Sequence, residues 1–142
     1  MKVVHTIEAL GGGVYTYFED LTHHFEKEDI RQKVPTSILY SDNRKEIDPQ
    51  KVAQLFSTIP TVKVSMEREI NPILDFKAIQ SLVRELKKIK PDVVHLHSSK
   101  AGVLGRIACC FVSPKPLVFY TPHGYAFQRT DISPISKKMY WF

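Results

Sequence analysis

Apolar and polar residues are patterned along this chain in blocks that predict strands and helices in strict alternation. The predicted strands span residues 2–6, 33–40, 61–66, 92–97 and 117–120. The predicted helices span residues 14–25, a segment that starts at 49, residues 71–89, residues 101–112 and a segment that starts at 133. Alternation of this kind is typical of an α/β fold, so we expect a doubly wound, Rossmann-like parallel sheet.

The helical segments differ in what their spacing predicts. Residues 14–25 place apolar side chains on one face, and residues 71–89 combine an apolar face with a basic one that we expect to be solvated. In residues 101–112, Gly102 and Gly105 permit close packing on the sheet. The adjacent Cys109 and Cys110 are expected to pack there as small hydrophobic side chains. The strand at 61–66 is polar enough to lie near an edge of the sheet.

Composition places the chain among ordinary globular domains. It has 142 residues, 43% hydrophobic and 25% charged, so we treat residues 1–142 as one domain. A net charge of +5 favours anionic partners, but the charge is too scattered to indicate nucleic acid binding. No signal peptide or membrane-spanning run is visible, and two adjacent cysteines fit a reduced, cytoplasmic protein.

Three loops at the predicted carboxyl ends of strands carry the candidate chemistry. Glycines at residues 11–13 follow the first strand, His97 to Lys100 follow the fourth, and His123, Gly124 and Tyr125 follow the fifth. Ligands of open parallel sheets bind at this edge. Glycines let the backbone approach a ligand closely, and the N–H groups of the next helix start can then bind a phosphate or carboxylate.

The individual side chains leave alternatives open. His123, which we expect at the end of a buried strand, can transfer a proton or simply donate a hydrogen bond. His97 either bonds a ligand or orders its loop, and Ser98 suits a helix cap. Lys100 either adds charge to an anion site or is an exposed surface lysine. His5, inside the first strand, is expected to be a packed or hydrogen-bonded residue rather than a ligand.

Several known site types are excluded by their spacing. A nicotinamide dehydrogenase requires a third, spaced glycine after Gly13, and a P-loop requires a Gly-Lys-Ser or Gly-Lys-Thr ending. Neither is present, nor is the Gly-x-Ser-x-Gly of a hydrolase. A His-His or Cys-x-x-Cys metal cage is also missing.

Three motifs together resemble a known family. LGGGVYTYFEDL at residues 10–21, PDVVHLHSSKAGVLGRIA at 91–108 and YTPHGYAF at 120–127 resemble the N-terminal domain of family 4 retaining glycosyltransferases of the GT-B fold. Within that family they look most like bacterial enzymes that build capsular, exopolysaccharide or O-antigen chains. The resemblance implies two Rossmann-like domains that face each other across a cleft, with the acceptor bound mainly by the N-terminal one.

The resemblance also implies roles for single residues. It places Gly12, Gly13 and Gly124 against the donor phosphate or sugar, and His123 near the reacting sugar. It places His97, Ser98, Lys100 and Tyr125 on the acceptor side. It implies a nucleotide-sugar donor, a glycan or lipid-linked acceptor, and no metal or other cofactor. The donor-binding residues of the family lie in a C-terminal domain absent from this sequence, so the chain alone is expected to be inactive.

Two other functions fit the same layout. One is a sugar-nucleotide epimerase of the two-domain kind, and the other is a module that binds a nucleotide or sugar phosphate without catalysis. A lipid-linked acceptor would also bring Arg84, Lys87 and Lys88 near the inner face of the membrane, as a peripheral contact. For the aromatic residues at 137–142, packing in the complete protein is the favoured interpretation.

Overall fold

A single parallel sheet, with helices on both faces, makes up the computed structural model, which describes residues 1–25, 27–45 and 47–123. The elements in chain order are β1 (Val3–Ile7), α1 (Gly13–Phe25), α2 (Glu28–Lys33), β2 (Thr36–Tyr40), α3 (Pro49–Leu55), β3 (Thr61–Lys63), α4 (Pro72–Ile89), β4 (Val93–His97), α5 (Ser99–Cys109) and β5 (Leu117–Thr121). All strand pairs are parallel, in the order β3-β2-β1-β4-β5. The predicted doubly wound sheet is confirmed.

The order of the strands reverses between β1 and β4. From β1 the chain builds outward through β2 to β3, and then α4 carries it back to the other side of β1. In open α/β sheets this switch point opens a crevice beyond the carboxyl ends of the two central strands. The register pairs Ile7 with His97 and His97 with Thr121, so the last residues of β1, β4 and β5 lie side by side at this edge.

Two apolar cores lie on opposite faces of the sheet. Side chains alternate between faces along each strand, so Val4, Val94 and Leu96 pack against α4 and α5. Ile7 and Ile38 instead pack against α1 and α3, in a smaller cluster. Both helices α3 and α4 begin with a capping side chain followed by proline, which the sequence predicted.

Helix α5 packs closely on β4 because two of its residues have no side chain. A Cβ on Gly105 would overlap the buried Leu96 side chain, and one on Gly102 would lie 2.8 Å from Tyr120 Cε2. Both contacts would be shorter than real Cβ contacts, so a side chain at either position would displace Leu96 or Tyr120, and glycine permits the close approach of the helix. The predicted role of these glycines is therefore confirmed.

The structure corrects several details of the prediction. Residues 28–33 form the short helix α2, so β2 begins at Thr36 and not at 33. This helix has no buried residue and hence no apolar pattern to reveal it. β5 lies at the edge and exposes Leu117 and Phe119, so it is not the buried strand that was expected. Cys109 is buried, but Cys110 is exposed, because successive helical residues point about 100° apart.

Other elements agree in position with the prediction. β3 lies at the opposite edge of the sheet, as expected, although it is only three residues long. The predicted helix that starts at 133, together with Gly124 and Tyr125, lies outside the described residues. Within the described ranges, no helix combines the length and the apolar character that crossing a bilayer requires.

Candidate functional site

The loops that follow β1, β4 and β5 meet at the switch point, as their sequence positions predicted. The most direct contact joins His97 at the end of β4 to His123, with 2.8 Å between His97 Nδ1 and His123 Nε2. Tyr17 of α1 lies beside both, with its ring centre 4.9 Å from that of His123 and 5.6 Å from that of His97. Helix α1, which the glycine-rich loop opens, therefore forms one wall of the site.

His97 is fully buried, and both of its ring nitrogens are bonded to other histidines. Its Nε2 lies 2.9 Å from Nδ1 of His5, which is on β1 opposite His95 and therefore diagonal to His97. Neither nitrogen is left for a ligand in this arrangement. The acceptor contact suggested for His97 stays a prediction, while its role in ordering the loop is visible in these bonds.

The histidines of the site are held in the neutral form. Burial, followed by the charge of neighbouring histidines, lowers the pKa of His97 to about 2 and that of His5 to about 3. Burial also lowers the pKa of His95 and of His123. Each neutral imidazole carries one N–H donor and one acceptor nitrogen at neutral pH.

Ser98 caps helix α5 in a strained backbone conformation. Its Oγ lies 3.5 Å from the N–H of Ala101, which confirms the predicted cap. Its φ of 80° and ψ of 157° belong to a region that residues with a side chain rarely adopt. His123 also has a positive φ, of 55°. Strain at two neighbouring positions of one edge is typical of functional sites.

An ion pair between a buried carboxylate and a partly buried arginine, which was not predicted from the sequence, supports the Ser98 turn. Glu8, immediately after β1, accepts hydrogen bonds from Arg44 Nε at 2.8 Å and Nη2 at 2.9 Å. The Ser98 hydroxyl donates to Glu8 Oε2 at 3.3 Å. A bidentate arginine satisfies a buried carboxylate well. The sequence signal that could have indicated this ion pair is Glu8, a single acidic residue directly after an apolar strand.

The glycine-rich loop is open to solvent rather than packed. Gly12 has a φ of 54°, which favours glycine, whereas Gly11 and Gly13 have no such requirement. Apart from its neighbours in the sequence and its own helix, no atom of the described residues lies within 4 Å of where a Cβ on any of the three would be. The loop borders a surface cleft of about 300 Å³ that Tyr15 and Lys51 also line. Nothing within the described structure therefore explains Gly11 and Gly13.

Lys100 does not project freely into the site. Its Nζ lies 2.7 Å from Asp75 Oδ1 and 2.8 Å from Oδ2, and it donates to the Glu69 carbonyl at 2.7 Å. The side chain is mostly buried. Lys100 is therefore not an exposed surface lysine, and its charge is already paired with Asp75. The contact of Lys100 with an acceptor stays a prediction.

Three histidines from two strands also come close enough together to hold a metal ion. The candidate ligand atoms of His5, His95 and His97 all lie within 4.8 Å of one another. His95 and His97 are two residues apart on β4 and share one face, and strand pairing brings His5 beside them, so this group was not predicted from the sequence. The short His5–His97 hydrogen bond and the 2.8 Å bond from His95 to Thr121 already provide partners. The expectation that no metal is needed stays a prediction.

Known structures with the same fold include sugar-nucleotide enzymes of two kinds. Lipopolysaccharide outer core galactosyltransferase WaaB in its apo form superposes with a TM-score of 0.71 at 16% identity, over 99% of this chain and 37% of that one. A UDP-N-acetylglucosamine 2-epimerase superposes with a TM-score of 0.61 at 14% identity, over 99% of this chain and 38% of that one. At these identities the likeness shows the fold alone.

Two sequence relatives are bacterial. An Escherichia coli UDP-Gal:alpha-D-GlcNAc-diphosphoundecaprenol alpha-1,3-galactosyltransferase is 45% identical over 74 residues, which cover 52% of this chain and 19% of that protein. An uncharacterized 41.2 kDa protein in the cps region of Klebsiella pneumoniae is 27% identical over 99% of this chain and 35% of its own length. The chain thus spans about a third or less of these relatives.

The family itself is settled by a match over nearly the whole sequence. The sequence profile described as Glycosyltransferase Family 4 matches residues 11–142, which include two of the three motifs in full and the first motif from Gly11 onward. The chain therefore belongs to glycosyltransferase family 4.

Proposed function

We propose that this chain is the acceptor-side half of a GT-B glycosyltransferase. The complete enzyme transfers a sugar from a nucleotide-sugar donor to a growing or lipid-linked glycan. The observation that carries the proposal is that His97 and His123 meet at the switch point beside Tyr17 of α1, the helix that the glycine-rich loop opens, in a chain of this family. The Escherichia coli relative, named for UDP-galactose and a diphosphoundecaprenol acceptor, supports UDP-galactose as the first donor to test.

The glycine-rich loop is the proposed contact for the donor diphosphate or its sugar. Gly11 and Gly13 have neither a positive φ nor a close neighbour, so close approach of a ligand supplies a reason for glycine there. The first N–H groups of α1 follow at once, and helix starts of this kind stabilise negative charge. We place Gly12 and Gly13 at that contact, and Gly124 beside it.

His123 is the proposed contact to the reacting sugar. It lies at the carboxyl end of β5, half-buried, with a lowered pKa and with Nε2 bonded to His97. A neutral imidazole can accept from or donate to a sugar hydroxyl without adding charge. Ser98, Lys100 and Tyr125 are proposed for the acceptor side, whereas the His97 side chain lies behind His123 and does not face the cleft.

Catalysis by this half alone is not expected. The chain spans 35% of the cps-region relative and 37% of WaaB, so most of each of those proteins has no counterpart in it. We propose a C-terminal domain as the partner that binds the nucleotide and closes the cleft. Closure excludes water and brings charge to the departing diphosphate, which is the main electrostatic contribution in such a transfer.

A peripheral contact with an anionic membrane surface is proposed for the face formed by α4 and α5. Phe76 and Phe111 are 60% and 62% exposed and line an apolar cleft of about 500 Å³, together with Arg84 and Lys87. Aromatic side chains beside cations complement a surface of acyl chains and phosphates. A location at the inner face of the cell membrane, in the cytoplasm, would place this surface next to a lipid-linked acceptor.

Sedimentation of the full-length protein with vesicles tests the membrane contact. Wild-type protein should sediment with vesicles that contain phosphatidylglycerol and much less with pure phosphatidylcholine vesicles. Phe76→Ser with Phe111→Ser should reduce the bound fraction at least fivefold, because the apolar contribution is lost. The matched control is Val103→Ser, an exposed apolar residue of α5 outside this cleft. Equal binding by wild type and double variant would contradict the proposed surface.

Transfer of labelled galactose from UDP-galactose to a membrane lipid fraction tests the function itself. His123→Ala in the full-length enzyme should lower kcat by about a hundredfold, the usual size of a lost acid, base or positioning group. His24→Ala, a histidine on α1 outside the site, should leave kcat unchanged. Near-normal turnover of His123→Ala would remove His123 from the mechanism.

The same assay separates the alternatives. An epimerase would convert the nucleotide sugar without any acceptor, and the fold is compatible with one. The match to the transferase family favours transfer. A non-catalytic module would bind the nucleotide sugar with no turnover in the complete protein.

A further inference from the structure

Three histidines form a continuous chain of hydrogen bonds that runs from the centre of the sheet to its edge. His5 Nδ1 lies 2.9 Å from His97 Nε2, and His97 Nδ1 lies 2.8 Å from His123 Nε2. Successive rings are also stacked, with centres 5.2 Å and 5.1 Å apart and interplanar angles of 23° and 29°. His5 and His97 are buried, so the chain ends toward solvent only at His123.

The surroundings keep this chain uncharged. Helix α1 covers it with Phe18 and Phe25, both in ring contact with His5. The other titratable groups that face it are Tyr17 from α1 and His95 from β4. In a row of neutral imidazoles each ring has one N–H, so all the hydrogen bonds must run in the same direction. The tautomers of the three rings are therefore coupled.

We propose that His97 and His5 are positioning residues that hold His123 in a single tautomer and present its Nδ1 to the substrate of the proposed transfer. His123 Nε2 is occupied by His97, so Nδ1 is the nitrogen that remains for a ligand. The chain of bonds ties the His123 tautomer to the tautomers of the two buried rings, so it cannot change unless all three rings change together. A fixed hydrogen-bonding group costs no reorganisation during the reaction.

Two substitutions of His97 each preserve one of its two hydrogen bonds and remove the other. An asparagine amide reaches about as far as imidazole Nδ1, so His97→Asn retains a partner for His123. A glutamine amide reaches about as far as Nε2, so His97→Gln retains the bond toward His5 and leaves His123 without its partner. Loss of bulk at a buried site is similar in the two variants, which makes each a control for the other.

The first readout is the ring-nitrogen spectrum of full-length protein labelled with ¹⁵N-histidine. In the wild type, His123 should show one protonated and one unprotonated nitrogen with well-separated shifts. His97→Asn should keep that pattern, and His97→Gln should move both His123 nitrogens toward the averaged shifts of a free imidazole. Averaged His123 shifts in the wild type, or an unchanged pattern in His97→Gln, would overturn the proposal.

Turnover supplies the second readout. We expect kcat to fall about tenfold or more in His97→Gln, with KM for the donor sugar nucleotide little changed, and to stay within about threefold in His97→Asn. His95→Gln is the control within the same histidine group, because His95 bonds Thr121 and not the chain. Equal losses in the two His97 variants would indicate a structural role only and overturn the proposal.

The positioning role of His97 and the proposed sugar transfer can be disproved independently of each other. The nitrogen spectrum needs no substrate, so it decides the role of His97 even if no transfer is detected. One mole of zinc per mole of purified protein, lost on substitution of His95, would mean that these histidines bind metal instead, and this too would overturn the proposal.

Discussion

The two faces of the sheet are built from the same strands but differ in chemistry. On β1 and β4, the side chains toward α4 and α5 are Val4, Thr6, Val94 and Leu96, whereas the side chains toward α1 include His5 and His97. The first face is an apolar core apart from the buried Thr6 hydroxyl. The second face is also buried, but the ring nitrogens of its histidines hydrogen-bond to one another, and this chain of bonds ends at the switch point. The comparison indicates that one face of each central strand stabilises the fold and the other shapes the site.

The largest expected difference between the faces is their response to acid. The pKa values of His5 and His97 in the folded state lie below 6.5, so the unfolded chain binds more protons and stability falls as pH drops below about 6.5. From pH 7.5 to 5.5 the loss should be about 1.4 kcal/mol for each of these histidines.

Hydrogen exchange of the β4 amides at several pH values, in the full-length protein, measures this loss. Leu96→Ala, on the other face, should lower stability by about 3 kcal/mol at every pH, because it leaves a cavity. His5→Gln should instead reduce the slope against pH. A slope that is the same in His5→Gln and wild type would contradict the assignment of the acid response to the histidine face.

A smaller effect is expected where α5 meets the apolar face. Gly105→Ala places a methyl group on the buried Leu96, so we expect a loss of about 1–3 kcal/mol from overpacking. The same exchange measurement detects it as faster exchange in β4 and α5. If the variant is as stable as wild type, the close packing of this helix is not a constraint.

The smallest effect on stability is expected in the glycine-rich loop. There the effect of a substitution on ligand binding tests the proposed donor contact. A Cβ on Gly13 meets no atom, so Gly13→Ala should stabilise the start of α1 by about 0.5 kcal/mol or leave it unchanged. If a ligand approaches this backbone, the affinity for UDP-galactose, measured by calorimetry on the full-length protein, should fall at least tenfold. Unchanged affinity would remove Gly13 from the donor contact.

Much of the architecture followed from local pattern. All five strands and the long helix α4 were predicted to within about three residues at each end, because their apolar spacing is a local signal. The starts of α3 and α4 were predicted from Asp-Pro and Asn-Pro, which are local signals as well. α2 was missed because it buries nothing. The exposed position of β5 was missed because edge placement depends on strand order and not on the composition of the strand.

The sequence by itself determined which loops carry the site and which family the motifs resemble, because both depend on residues close together in the chain. Only the tertiary structure decided which side chains meet. His5 and His97 are 92 residues apart in sequence and meet only because β1 pairs with β4, with His5 opposite His95 and diagonal to His97. Glu8 and Ser98 meet just beyond the ends of the same two strands, and Lys100 meets Asp75 where α5 packs against α4. Hydrogen bonds and desolvation act over a few ångströms in space, so the protonation and orientation of these groups became visible only when the strands were placed side by side.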